Sequence, residues 1–281
     1  MADPLIDIDW NEVWKTQMQR NRGASPTPGR DCARIWDCKK SAQKFWDTSQ
    51  ENKDRVKKTI AGTDINFDSR VLDIGAGPGS LAIPFAQKVA HVTAVEPAEG
   101  MVSVLRENMT EQEVENITLV QKRWEDVDVK ADLQPPYDVV MASFSLGMHD
   151  IRGAIEKMMD ASNKYVYLYH FAGEAHWDRQ SRELWPKLHG KEYHPGPKSD
   201  VLYNVLYQMG IYPNMRTFRL QHNQRFDSLE EALDNLRPQY QIATDEQESI
   251  LRDHLGRVLK EENGSLVLPV ASIRVKVWWK K

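Results

Sequence analysis

The sequence predicts an α/β protein, doubly wound on a mostly parallel sheet, and three observations carry that prediction. Short apolar runs of strand character alternate with segments of helical character, the pattern of successive βαβ units. The first run, Val71 to Ile74, opens directly into glycines at alternate positions, Gly75, Gly77 and Gly79, and then a helix-forming stretch from Leu81 to Val89. Strand, glycine turn and helix in that order present backbone N–H groups and a helix N-terminus to a ligand. Finally, the polar motifs fall at the carboxyl ends of the apolar runs, where open sheets of this type bind ligands.

Taken in order, Met1 to Lys40 is dense in aromatic residues, with Trp10, Trp14 and Trp36, and Trp46 soon after. Such a composition does not describe a disordered tail. Two readings stand for this arm: it packs on the core through its tryptophans, or it closes as a lid over the site. Arg20 to Arg30 is a Pro/Gly-rich loop that interrupts any helix. Ser41 to Ile60 reads as a helix with Ser41 as its N-cap. Strands are expected at Val71–Ile74, Val92–Glu96, Ile117–Gln121, Val139–Ala142 and Tyr165–Tyr169. The helices between them are Leu81–Val89, Ala98–Asn108, a short disrupted stretch near Val127–Leu133, and Ile151–Ser162. Gly173 to Asn214 is longer than a βα connection needs. It holds two expected helices, Glu174–Leu188 and Ser199–Gly210, around the turn Tyr193-His-Pro-Gly-Pro197. Met215–Gln221 and the alternating Ser272–Trp278 read as further strands, and Ser228 begins a helix with a capping-box pattern.

Four segments follow from this: an N-terminal arm over 1–62, a ligand-binding core over 63–172, an inserted helical cap over 173–214, and a completion of the sheet over 215–281. A chain of 281 residues, 41% hydrophobic and 28% charged, has the composition of a globular protein able to bury a large core. A net charge of −4 argues against nucleic acid as the main partner. Two cysteines, Cys32 and Cys38, are too few for a disulfide framework and fit a reducing, cytoplasmic setting. No apolar run approaches the ~18 residues of a membrane span.

The glycine spacing separates two cofactor classes. A dinucleotide fingerprint is G-x-G-x-x-G/A, whereas here the spacing is G-x-G-x-G and Ser80 stands at the third small position. Asp73, two residues before the first glycine, is poorly placed beside a diphosphate but tolerates a cationic or zwitterionic ligand. Glu96, ending the next strand, is positioned to chelate a ribose diol. With no phosphate-binding Lys or Arg in the loop, these residues point to S-adenosylmethionine (SAM).

Val71-Leu-Asp-Ile-Gly-Ala-Gly-Pro-Gly-Ser80 followed by Ala94-Val-Glu-Pro97 resembles motifs I and II of the class I SAM-dependent methyltransferases. Arg123-Trp-Glu-Asp126 and Tyr137-Asp-Val-Val-Met-Ala-Ser143 stand where that family's later cofactor motifs fall. The resemblance covers roughly Arg70 to Tyr169. It implies a Rossmann-like methyltransferase fold with a seven-stranded sheet whose last strand is antiparallel. It also implies that Gly75 and Gly77, with Ala76 between them, approach the methionine part of SAM and that Asp73 holds its ammonium. Glu96 would take the ribose hydroxyls, Pro97 would wall the adenine, and Trp124 and Glu125 would flank it, with Asp126 a rival for the carboxylate role. Ala142 and Ser143 would line the sulfonium end.

Methyl transfer from a sulfonium mainly needs alignment and exclusion of water, with a base only for a protonated nucleophile. His149, His170 and His176 fall at or after the fourth and fifth strands. His170 is the first candidate base and His149 the second. His189 and His194 extend the cluster, without the tight spacing of a metal site, so no metal is expected. Ala142-Ser-Phe-Ser145 lacks the Asn/Asp-Pro-Pro-aromatic pattern of enzymes that methylate nucleobase amino groups. Both cysteines lie far from the position a cytosine-C5 nucleophile would need. The leading expectation is a methyltransferase acting on a small or medium-sized organic acceptor. A non-catalytic SAM-binding protein and a protein or RNA methyltransferase are the alternatives.

Overall fold

The computed structural model describes residues 8–23, 36–51 and 53–281. Most of the Pro/Gly-rich loop and Cys32 therefore lie outside the described residues. Eight strands form one sheet: β1 (Arg70–Ile74), β2 (His91–Val95), β3 (Ile117–Val120), β4 (Tyr137–Ser143), β5 (Ser162–Phe171), β6 (Asn214–Phe226), β7 (Lys260–Glu262) and β8 (Ser265–Lys280). The order is β3-β2-β1-β4-β5-β8-β6, with β7 pairing β8 at one end. The first five strands are parallel, and β8 is antiparallel to β5, β6 and β7. The doubly wound class is as the sequence predicts. The count is eight rather than seven because the turn Asn263–Gly264, both at positive φ, folds a short β7 back on β8.

Helices cover both faces. Ahead of the sheet come α1 (Trp10–Gly23), α2 (Lys39–Glu51) and α3 (Lys53–Ala61). The expected Ser41–Ile60 helix is described on both sides of residue 52, which lies outside the described residues. α4 (Ala82–Ala86) and α5 (Glu99–Glu111) follow β1 and β2. One face packs Val71, Val92, Val139 and Met141 against α4, α5 and Trp46 of α2. The other packs Leu72, Ile74, Val140 and Leu168 against α6 (Ile151–Ala161), α8 (Ser199–Gln208) and Trp14 of α1. Strands buried on both faces read as continuous apolar runs, which is why they are legible in the sequence.

The expected 173–214 cap divides between two places. α8 belongs to the core, laid on the sheet beside α1 and α6. α7 (His176–His189) instead joins α9 (Leu229–Tyr240) and α10 (Asp245–Val258) in a separate cluster with Phe226 and Leu268. The physical reason lies in the strand lengths. β5 ends its pairing with β8 at Phe171–Arg274, but β6 and β8 stay paired as far as Phe226–Leu266. This two-stranded ribbon runs past the carboxyl ends of the parallel strands and gives the three helices an apolar surface. Ser228 caps α9 by accepting from Glu231 N at 3.1 Å, as its sequence pattern predicts.

Candidate cofactor and acceptor site

At the end of β1 the chain turns through Gly75, Gly77 and Gly79 at φ +71°, +57° and +91°. A Cβ on Gly75 would stand 2.3 Å from Cβ of Ser145, and one on Gly79 would stand 2.5 Å from Leu105 Cδ1. Those two glycines are required by packing. At Gly77 the only atom a Cβ would meet is Met101 Sδ at 3.9 Å, so the backbone there has an open face. Ser145 donates to Ile74 O at 2.5 Å, tying the loop after β4 to the end of β1.

Two acids converge on this turn. Glu96 is buried and accepts from Gly77 N and Ala98 N, each at 2.9 Å. Burial pushes its pKa up, and the two backbone donors pull against that shift. Asp73 is 2% exposed, and its Oδ2 has no hydrogen-bond partner among the described residues. Burial, and then the charge of Glu96, push it up to about 7. A buried carboxylate oxygen without a donor is costly. An ammonium against Oδ2 supplies the missing partner, and ribose hydroxyls can donate to the lone pairs Glu96 has free. The residues present thus fit SAM, with Ala76 buried between the glycines and Pro97 half-buried beside Glu96.

Trp124 is placed differently from its expected adenine contact. It is 3% exposed, its Nε1 donates to Ala154 O at 3.0 Å, and Lys157 Nζ lies 5.6 Å from its ring centre. The ring belongs to the core beneath α6. Glu125 and Asp126, in the same 3-10 turn, are exposed, so the carboxylate role is open to both.

Ala142 and Ser143 end β4, and Phe144 follows at φ +58°, a conformation that non-glycine residues adopt at a cost. Its ring lies 5.1 Å from that of Phe171, which in turn meets the ring of Trp177 at 4.9 Å, edge to face. Trp177 borders a cavity of about 390 Å³ shared with Asn21, His176, Trp185 and Tyr193. α1 closes this side: Trp14 Nε1 donates to Met148 O, Arg22 to Gly147 O, and Asn21 to His194 O. The end of α1, the loop after β4, the start of α7 and the turn around Tyr193 and His194 therefore adjoin one another.

His170 does not have the surroundings of a base. It is buried, its Nε2 lies 2.9 Å from Pro197 O, and its ring packs 5.7 Å from Trp14. A carbonyl partner requires the proton on Nε2. Burial pushes the ring down to about 4, far below the value suited to a base at neutral pH. His149 is half-buried in the loop before α6, where Asp150 rather than His149 caps the helix by accepting from Gly153 N. His189 is bonded to Tyr240 O within the cap. Among the described residues, no group of three His, Cys, Asp or Glu is placed to hold a metal. No described helix is long and apolar enough to cross a membrane.

Replacing Glu96 with Gln keeps the shape but gives up the charge on the hydrogen bonds to the ribose. We expect S-adenosylhomocysteine to bind roughly tenfold more weakly, about 1–2 kcal/mol. Calorimetry giving an unchanged affinity would remove Glu96 from the ribose site.

Comparison with known proteins agrees with this geometry. Residues 71–164 match the family model described as a methyltransferase domain. An uncharacterised protein of Haemophilus influenzae is 31% identical over 159 residues, which are 57% of each chain. A 23S rRNA (uracil(1939)-C(5))-methyltransferase, RlmD of Aliivibrio salmonicida, is 35% identical over 75 residues, 27% of this chain and 17% of that protein. The matches thus span little more than half of one relative and a sixth of the other. Among solved structures, the YcgJ protein of Bacillus subtilis aligns over 80% of this chain and 98% of its own, with a TM-score of 0.54 at 18% identity, a likeness of fold. Residues 71–164 thus carry a methyltransferase domain, and its Asp73, Gly77 and Glu96 fit SAM.

Proposed function

We propose that this protein transfers the methyl group of SAM to a small or medium-sized organic acceptor in the cytoplasm. The observation that carries this is the run of packed rings from the end of β4, Phe144 to Phe171 to Trp177, the last of which borders the cavity beneath the cap. SAM supplies an electrophilic methyl on a good neutral leaving group. The chain's own residues bind, orient and exclude water. Asp73, Glu96 and the open face of Gly77 hold the cofactor. Ser143 and Phe144 border the transfer point, and α1 with the cap roofs it. His170 acts as a positioning residue: its N–H holds the Pro197 turn against β5.

RNA is the second reading, raised by the RlmD similarity. That match covers 75 residues of this chain. The cap, the ribbon and the net charge of −4 favour an enclosed acceptor. The cytoplasmic setting rests on the scarcity of cysteine.

The protein should be incubated with methyl-labelled SAM and separate small-molecule, RNA and protein fractions of a cell extract. Label is expected in the small-molecule fraction. Label confined to RNA or to protein would overturn this choice of acceptor, and no transfer to any fraction would favour a non-catalytic role.

A further inference from the structure

Two cations, Arg55 and Arg274, have no counter-charge among the described residues. Arg274, on β8 opposite Phe171, is half-buried, with its guanidinium carbon 4.6 Å from the ring centre of Phe144 and 5.8 Å from that of Phe171. Its Nε donates to Ser272 Oγ at 3.2 Å, and no carboxylate pairs with it among the described residues. Arg55, on α3, is also half-buried, and it too lacks a carboxylate partner among the described residues. The end of α3 meets β8, where Lys276 Nζ, two residues along the strand from Arg274, donates to Gly62 O. Burial, and then the charge of Arg55, push Arg274 down to about 10.

Desolvating two like charges together is costly, and proteins offset it with an opposite charge. Here the aromatic rings stack on the guanidinium plane and offset part of it. Stacking leaves the donor edge of a guanidinium open for a bidentate oxyanion. Phe144, whose ring meets Arg274, lies in the chain between Ser143 and Ser145, and Ser145 abuts Gly75 of the glycine turn. Elsewhere on the molecule, salt bridges pair Arg152, Arg182, Arg225, Arg237 and Arg252.

We propose that Arg55 and Arg274 bind an anionic group, a carboxylate or a phosphate, on the methyl acceptor. The aromatic rings of Phe144 and Phe171 would hold the adjoining unsaturated or apolar part. This rests on the methyl-transfer reading for its purpose, but the anion site can be tested separately.

Benzoate, phenyl phosphate and the neutral isostere benzamide should each be titrated into the full-length protein saturated with S-adenosylhomocysteine, with binding followed by ligand-observed NMR. At least one anion is expected to bind with a Kd on the order of 1 mM, and benzamide at least tenfold more weakly. The tighter anion identifies carboxylate or phosphate as the recognised group. Arg55→Met and Arg274→Met should each weaken it by roughly tenfold or more, with affinity for S-adenosylhomocysteine unchanged. If Arg274→Met fails to fold, the Arg55→Met variant on the outer helix decides. Benzamide binding as well as the anions, neither anion binding, or arginine variants binding like the parent would overturn the proposal. Failure of S-adenosylhomocysteine itself to bind would instead count against the methyl-transfer reading, and titration of the unloaded protein would then still test the arginines.

Discussion

Asp73→Asn is expected to stabilise the ligand-free protein above pH 7 while weakening S-adenosylhomocysteine roughly 10- to 100-fold. Both effects come from one atom, the buried Oδ2 that lacks a donor. The carboxyl is displaced from an ordinary 3.8 to about 7, first by burial and then by Glu96. Between those values the folded protein keeps a proton that the unfolded chain has released. Its stabilising effect is therefore full below about pH 4, declines as pH rises, and is gone above about pH 7. The displacement corresponds to about 4 kcal/mol. An Asn avoids the charge but leaves buried amide hydrogens to satisfy, at about 1–3 kcal/mol. A gain of roughly 1–3 kcal/mol should remain at pH 8, read by urea denaturation. In the complex the sign reverses. A ligand ammonium favours the ionised carboxylate, so binding displaces the Asp73 proton. Affinity should then climb by up to about tenfold per pH unit between pH 5 and 7. The Asn variant loses that slope along with a charge-assisted bond of about 1.5–3 kcal/mol. Matching pH profiles for variant and parent would refute the ammonium contact.

The contrast between Asp73 and Trp124 shows what a sequence can convey about such a site. Asp73 interrupts an apolar strand two residues before a glycine turn, and a carboxylate in that place has little structural use. Gly75, Gly77 and Glu96 are legible for the same reason, since each breaks the pattern its element requires. Trp124 breaks no pattern. A tryptophan serves equally as a core residue or a ligand wall, and only the bond from its Nε1 to Ala154 O decides. His170 carried an ambiguity of the same kind, which Pro197 O and the burial of the ring resolve. The cap was harder. α7 finds α9 and α10 across the length of β6, through bonds such as Tyr240 Oη to Gln180 Oε1 and Gln247 Nε2 to Leu188 O. Helical periodicity shows that each has an apolar face, and it is silent about which faces meet. Arg55 and Arg274 were invisible for that reason also. They belong to elements far apart in the chain, which meet where Lys276 of β8 donates to Gly62 O at the end of α3.

Truncating Trp14 to Ala is expected to cost about 3–5 kcal/mol from lost packing, with a further 1–3 kcal/mol for the Met148 carbonyl it leaves unpaired. Trp14 is fully buried and donates to that carbonyl at 2.9 Å, among Leu168, Leu202 and Leu206. For a domain with about 5–15 kcal/mol in total this is a large fraction, and the melting temperature should fall by roughly 10 °C or more. The measurement separates the two readings of the aromatic arm. A lid that closes only over ligand would leave the ligand-free melting temperature nearly unchanged when its tryptophan is removed. A segment built into the core would not. The structure puts α1 against α6 and α8, on the opposite face from α2, so its contribution to stability exists before any ligand binds. Its contribution to the site is then indirect: Trp14 fixes the helix, and the helix holds Gly147 and His194 through Arg22 and Asn21. Asn21→Ala and Arg22→Ala, near the end of α1, should accordingly leave stability within about 1 kcal/mol of the parent while loosening the acceptor wall. If Trp14→Ala melts like the parent, the arm is a lid after all, and the acceptor pocket is assembled only when the site fills.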